Sequence, residues 1–309
     1  MTVARVPVAA RRRVIGPLPR IDWLPTLLVL PALLVLAVVL LYPIVVGIRL
    51  SLFDVAFVAG DSDRFVGLDN YARMLRNGQF WQAFRVTVIY TTVVVTASFL
   101  IGLGTALLLN VRFRGRAVLR TIAIIPWPIP EVVAVMIWAW MFSADFGVIN
   151  YFVSLVAPGV GKIAWLSDPS LALPAVSMVT IWKQFPLATV MILAGLQHIP
   201  LDHYEAAAVD GANARQRFRY ITWPGLRHVN LVLVLLLVLY TFKRVTIIFV
   251  MTGGGPGRAT ETLPIQTYLQ SFQFFDMGYA SAIGALMLTV AMSFTLVYLA
   301  LTRRDPEQV

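Results

Sequence analysis

The sequence predicts an all-α membrane protein with six transmembrane helices, and three observations carry that expectation. The 309-residue chain is 59% apolar and only 13% charged, whereas soluble domains run at about 45–50% and about 25%. Six apolar stretches, near 23–49, 86–109, 119–142, 172–196, 229–250 and 279–302, each cover the roughly 20 residues a spanning helix needs. Basic residues also divide unevenly between alternate loops. One side collects Arg112, Arg114, Arg116 and Arg120, then Arg215, Arg217, Arg219 and Arg227, besides the basic N-terminus and Arg303–Arg304. The other side dilutes its cations with Asp54, Asp61, Asp63, Asp69, Asp145 and Asp168. Positive charge stays inside, so both termini are expected in the cytoplasm.

Taken in order, residues 1–22 form a basic cytoplasmic segment, expected to be disordered or held on anionic headgroups. The first apolar run, Trp23 to Val46, exceeds the about 7–15 residues of a signal-peptide core, so it reads as a retained anchor. Phe65-Val66-Gly67-Leu68-Asp69-Asn70-Tyr71 opens an external loop, and Phe80 and Trp81 read as interfacial aromatics ahead of helix two. Pro126, Pro128 and Pro130 predict a kink or break in helix three. An interfacial segment is expected around Val148 to Val156. Thr252 to Gly257 lacks the Lys-Ser/Thr of a phosphate loop and reads as an external turn. Residues 23–302 thus make one six-helix domain, with a short cytoplasmic tail over 303–309.

Several chemistries are excluded at this point. The chain has no cysteine, which removes disulfides and thiolate chemistry. His198, His203 and His228 have no metal-ligand spacing, so no metal is expected. No nucleophile–base constellation converges in the spans, and no catalytic residue is assigned. Without a phosphate loop the chain cannot be its own motor. The net charge of +10 is absorbed by membrane topology, so nucleic acid is not expected as a partner; membrane lipid is.

The inner loop at about 197–228 is unusually long and polar. Its Glu205-Ala206-Ala207-Ala208 run favours helix, with Asp202 as a plausible N-cap and Glu205 as its capping-box partner. Gly211 permits a sharp turn with positive φ, and a second short helix over 213–221 is expected to stop before Pro224. Inside the spans lie four costly charges, Glu131, Lys183, Lys243 and Arg244. Glu131 is at a depth to pair with Lys183 or with Arg244. Two readings stand: internal ion pairs that hold the bundle, or groups that line a polar path.

The pattern from Glu205 through Asp210-Gly211 to Pro224 resembles the EAA loop of binding-protein-dependent ABC importer permeases. With FVGLDNY at 65–71, WxxxP at 182–186, AGL at 194–196 and MTGGGPG at 251–257, the chain is similar to the carbohydrate-uptake, maltose-type family, as the first of two permeases. The resemblance implies the type I ABC importer permease fold and a sugar importer subunit that performs no catalysis. Partners would be a second homologous permease, two ATPase subunits carrying ATP and Mg²⁺, and an extracytoplasmic substrate-binding protein, in a bacterial cytoplasmic membrane. It carries an ATPase-coupling role to Glu205, Ala206, Ala207, Asp210, Gly211, Ala212 and Phe218. It also implies that helices four and five line the solute path. Helical spacing then selects Thr180, Gln184 and Leu187 beside Lys183, and Leu237, Tyr240, Thr241 and Arg244. Arg244 suits either sugar hydroxyls or an anion. Uptake of an anionic or other polar solute, such as glycerol-phosphate or an amino acid, is the alternative; a stand-alone channel or secondary transporter ranks below it.

Overall fold

The protein is described here by a computed structural model covering residues 23–55 and 63–302. The expectations for 1–22 and 303–309 lie outside those residues. The chain divides into two units, Met1–Val46 and Gly47–Val309. The first contains α1 (Trp23–Leu36), a π-helical turn (Ala37–Leu41) and the start of α2 (Tyr42–Leu50), all strongly apolar.

In the second unit a two-residue hairpin, β1 (Phe53–Asp54) with β2 (Arg64–Phe65), precedes α3 (Asp69–Arg76) and α4 (Gly78–Asn110). Then come α5 (Arg116–Ile124), α6 (Glu131–Met141), α7 (Val148–Val156) and α8 (Ala172–His198). A hairpin of short helices follows: α9 (Leu201–Val209), α10 (Ala214–Arg217), a π turn (Phe218–Thr222) and α11 (Trp223–Gly225). The chain ends with α12 (Arg227–Phe242), α13 (Thr246–Thr252), α14 (Leu263–Phe272) and α15 (Met277–Thr302). Among the described residues, five helical stretches are long and apolar enough to cross a membrane; the expected third span is present only as the shorter α5 and α6.

α8 is the centre of this unit. It lies so close to α4 that a Cβ on Gly102 would sit 2.4 Å from the Ala188 Cβ. At one end, Tyr90 and Val94 of α4 meet Val176 and Val179 of α8, Val135 of α6, and Ile247 and Ile248 of α13. At the other, Ala106 and Leu109 meet Ile192 and Leu196 of α8 and Leu233 and Leu237 of α12. The first turns of α15 are buried at Tyr279, Ala280 and Ile283, while Phe294, Leu296 and Val297 further along are exposed.

Several expectations need correction. Helix two begins at Gly78, not 86, because Asn77 caps it by accepting from Gln79 N at 2.9 Å. Phe80 is therefore inside the helix rather than ahead of it, and is buried against Tyr279 and Ile283; Trp81 is inside the helix as well and exposed. The FVGLDNY stretch is a latch rather than a plain loop. Asn70 Nδ2 donates to Ser51 O at 3.0 Å and to Phe53 O at 2.9 Å, and Tyr71 OH meets Ser51 Oγ at 2.7 Å. Helix five is not continuous, since it breaks at residues 243–245. The glycine-rich turn, with Gly253, Gly254 and Gly257 at positive φ, folds onto α14: a Cβ on Gly254 would lie 2.9 Å from Ile265 Cγ2. In that turn, burial pushes the Glu261 carboxyl above its usual range, and Arg258 beside it pulls the other way.

Candidate functional site

The hairpin between α8 and α12 is built by two capping motifs. α9 starts after Pro200, its N-cap; Asp202 lies in the first turn, where its charge suits the helix N-terminus, and does not cap as expected. At the other end Ala212 N donates to Ala207 O at 2.8 Å and Gly211 N to Ala208 O at 3.2 Å. This is a Schellman turn, and it requires the left-handed φ of +74° found at Gly211. The capping box opens the next helix, α10, rather than α9, and lies between Asn213 and Gln216: Gln216 N donates to Asn213 Oδ1 at 2.9 Å, and Asn213 N to Gln216 Oε1 at 2.8 Å.

The second arm does not stop before Pro224. A π turn over Phe218–Thr222, closed by Trp223 N donating five residues back to Phe218 O, widens the helix and lets the proline through. Tyr204 OH and Thr222 Oγ1, 3.0 Å apart, tie the arms together. Of the residues assigned to coupling, Glu205, Ala206, Asp210 and Gly211 are exposed, while Ala207 and Ala212 are half-buried. Phe218 is turned to its own chain, its ring 6.1 Å from that of Trp223. Three apolar side chains not singled out from sequence stand in the open: Leu201 (72% exposed), Val209 (89%) and Tyr220 (72%). Leu201 and Val209, eight residues apart, fall on one side of α9, and that spacing was the available signal.

The second constellation is a polar joint inside the bundle, where two helices are broken. Between α5 and α6, Pro126, Pro128 and Pro130 leave backbone carbonyls without donors; the α-helical partner of Pro126 O would be the nitrogen of Pro130, which has no hydrogen. Lys183 of α8 supplies what is missing. Its ammonium donates to Pro126 O at 2.8 Å, to Trp127 O at 2.9 Å and to Ile129 O. Three N–H donors thus meet three carbonyls, which accounts for a buried lysine that forms no salt bridge among the described residues.

The neighbouring residue serves the other break. Gln184 Nε2 donates to Leu237 O at 3.2 Å and to Thr241 Oγ1 at 3.0 Å, at the last turn of α12. Arg244, in the break itself, reaches Gln184 Oε1 at 3.5 Å and forms an ion pair with Glu131 at 3.0 Å. Glu131 is the first residue of α6, where the helix dipole also favours a negative charge. Of the two pairings left open for Glu131, the structure contains the one with Arg244.

The expected solute-facing set is distributed unevenly. Thr180, Gln184, Leu237 and Thr241 are buried within the chain, and Thr180 Oγ1 meets Tyr90 OH at 2.8 Å. Leu187 and Arg244 are half-buried. Tyr240 and Lys243 are exposed, the Lys243 Nζ lying 5.5 Å from the Tyr240 ring centre. Arg244 does not continue the face of Leu237, Tyr240 and Thr241, because α12 ends at Phe242.

Comparison with known proteins adds a separate line. Residues 98–304 match the family described as binding-protein-dependent transport system inner membrane component. The chain is 39% identical to the trehalose/maltose transport system permease protein MalF of Thermococcus litoralis, covering 84% of this chain and 87% of that protein. It is 36% identical to the sulfoquinovosyl glycerol transport system permease protein SmoG of Agrobacterium fabrum, over 85% of this chain and 84% of that one. In three dimensions it is similar to a chain of a bacterial alginate ABC transporter solved in complex with an alginate pentasaccharide-bound periplasmic protein. There the TM-score is 0.76 at 23% identity, covering 92% of this chain and 95% of that one, a likeness of fold.

Replacing Lys183 by Met keeps the stem and removes the three donors. Each hydrogen bond from a charged group contributes about 1.5–3 kcal/mol, so Lys183→Met is expected to cost at least about 3 kcal/mol. Thermal unfolding of the purified chain, followed by tryptophan fluorescence, measures that loss; a transition unmoved by the substitution contradicts the assignment.

Proposed function

The chain belongs to the family of inner membrane components of binding-protein-dependent transport systems, and from that premise we propose that it is a permease subunit of an ATP-driven sugar importer. A second, homologous permease completes the translocation path. Two ATPase subunits hold the ATP and Mg²⁺, and an extracytoplasmic binding protein delivers the solute. The chain performs no bond chemistry and holds no cofactor. It lies in a bacterial cytoplasmic membrane with both termini and the 197–228 hairpin inside.

The observation that carries this reading is the hairpin. It is a doubly capped element with Val209 and Leu201 exposed, joined to two membrane helices by connections of one or two residues. A channel or ion-driven transporter has no use for such an element, whereas an ATPase surface would cover it. Closure of the ATPase pair on ATP displaces the hairpin, and α8 and α12 carry the displacement inward. α8 holds both helix breaks through Lys183 and Gln184, so the half-helices beyond the breaks move with it. Rocking of the two permeases then opens the path first to the binding protein and next to the cytoplasm.

The solute class is supported by the two relatives, whose names refer to trehalose/maltose and sulfoquinovosyl glycerol. The ion pair offsets the charge of Arg244, which favours a neutral polyol. Lys243, exposed beside Tyr240, supports the second reading, an anionic solute.

Two outcomes are expected. Gly211→Pro cannot adopt the positive φ of the Schellman turn and is expected to lower ATP-driven uptake at least about tenfold, a loss of about 1.4 kcal/mol in coupling, while membrane insertion is unchanged. Normal uptake by this variant contradicts the coupling role. Lys243→Gln is expected to leave the half-saturating concentration of a neutral sugar unchanged in vesicle uptake. If it instead weakens uptake of an acidic sugar, the anionic reading replaces the neutral one.

A further inference from the structure

The bend between α4 and α5 carries Arg112 and Arg114, and α5 opens with Arg116 and has Arg120 one turn on. No Asp or Glu occurs between Asp69 and Glu131 in the sequence. Among the described residues none of these four arginines forms an ion pair. Arg112 and Arg114 are exposed, and Arg116 and Arg120 are half-buried. Arg116 N donates to Phe113 O at 3.4 Å and Gly115 takes a left-handed φ of +89°, so the cations are gathered on a tight bend. Leu109, just before the bend, packs in one cluster with Leu196 near the end of α8, which puts the bend on the hairpin side.

Two lengths place this bend at the lipid headgroups. The 33 residues of α4 span about 50 Å at about 1.5 Å each, more than the roughly 40–45 Å of a bilayer with its headgroups. The end of α4 therefore reaches the headgroup layer. From Arg116 to Ile125 the helical rise is about 14 Å, close to half of a hydrocarbon core about 30 Å thick. Along that length Val118, Ile122 and Ile125 recur at helical spacing and stand exposed. Cations at the headgroup level are thus followed by an apolar stripe one leaflet deep. An anionic amphiphile matches both parts in that order, whereas an acidic protein surface matches the arginines alone.

We propose that the α4–α5 bend binds the phosphate of one anionic glycerophospholipid of the leaflet on the hairpin side. The guanidinium groups of Arg112, Arg114 and Arg116 donate to the phosphate oxygens, a match for their forked geometry. An acyl chain of the same lipid lies along Val118, Ile122 and Ile125. Basic segments are drawn to an anionic leaflet in general; here the cations are held together on one bend, and no carboxylate of the bend competes for them. The site depends on the depth of the bend in the membrane and not on which solute the chain carries.

The test is lipid retention by the purified full-length chain in mild detergent, quantified by mass spectrometry after size-exclusion chromatography. Phosphatidylglycerol and phosphatidylcholine with the same acyl chains are offered at equal concentration. The wild type is expected to retain the glycerol lipid at least about tenfold more than the choline lipid, about 1.4 kcal/mol of preference. Replacing Arg112, Arg114 and Arg116 together by Gln is expected to remove that preference. Replacing Arg215, Arg217 and Arg219 by Gln takes the same charge from the same side and is expected to leave it in place; circular dichroism confirms that both variants fold. Equal retention of the two lipids by the wild type overturns the proposal, as does loss of the preference in both variants, which would mark diffuse charge rather than a site. Displacement of the lipid by excess inorganic phosphate would overturn it too, by showing a site for a free anion. So would a photo-cross-linker on Val118→Cys, unique in a chain without cysteine, that captures another protein instead of lipid in native membranes.

Discussion

Inside a bilayer no water is present to satisfy a backbone carbonyl, and the whole arrangement of this bundle follows from how it meets that constraint. Three prolines within five residues forbid a continuous third helix, and three carbonyls of the break, those of Pro126, Trp127 and Ile129, are collected by the ammonium of Lys183. That contact fixes where α6 begins. The start of α6 places Glu131 against Arg244, and Arg244 sits in the second break, beside the Gln184 that follows Lys183 in sequence. One turn of α8 thus sets the geometry of both interrupted helices.

The same helix ends at the hairpin, and its end is tightly engaged. A Cβ on Gly195 would meet Leu226 Cδ2 at 2.9 Å and Val229 Cγ2 at 3.0 Å; one on Gly225 would meet Ile199 Cδ1 at 2.8 Å. Close packing of this kind leaves little room for slack between the hairpin and the two helices it joins. In the proposed coupling, a displacement at Gly211 is carried into α8 and α12 as a body, and through Lys183 and Gln184 to the breaks deeper in the bundle. The most buried of the charges in the spans, Lys183, is held by three backbone carbonyls, and among the described residues it forms no salt bridge.

What was legible in the sequence was what rests on composition and on residues with special backbones. The apolar runs gave the long helices, the prolines gave the first break, and Gly211 gave the left-handed turn. One signal was misassigned, since Asn213-x-x-Gln216 has the capping-box spacing that was given to Asp202 and Glu205; another was passed over, since Thr262 followed by Pro264 marks the start of α14. The second break had no local mark. Thr241 to Thr246 contains neither glycine nor proline, and its interruption is held by Gln184 from α8 and Glu131 from α6, which no helical periodicity along α12 can reveal. For that reason Arg244 was placed on a helical face that ends two residues before it. The exposed Tyr220 was hidden in the same way, because a π turn shifts every side chain beyond Arg217 off the α-helical register.

The claim on which the rest depends is that Lys183 holds the angle between the two halves of the third helix. It is tested most directly by electron paramagnetic resonance distances between spin labels on Val118→Cys in α5 and Met136→Cys in α6, both exposed, with the full-length chain in lipid nanodiscs. A single narrow distance is expected with Lys183 in place, and a shifted or markedly broadened distribution in Lys183→Met. The same narrow distribution with and without the lysine would show that the prolines alone set the break, and that the ammonium is not what orders the bundle.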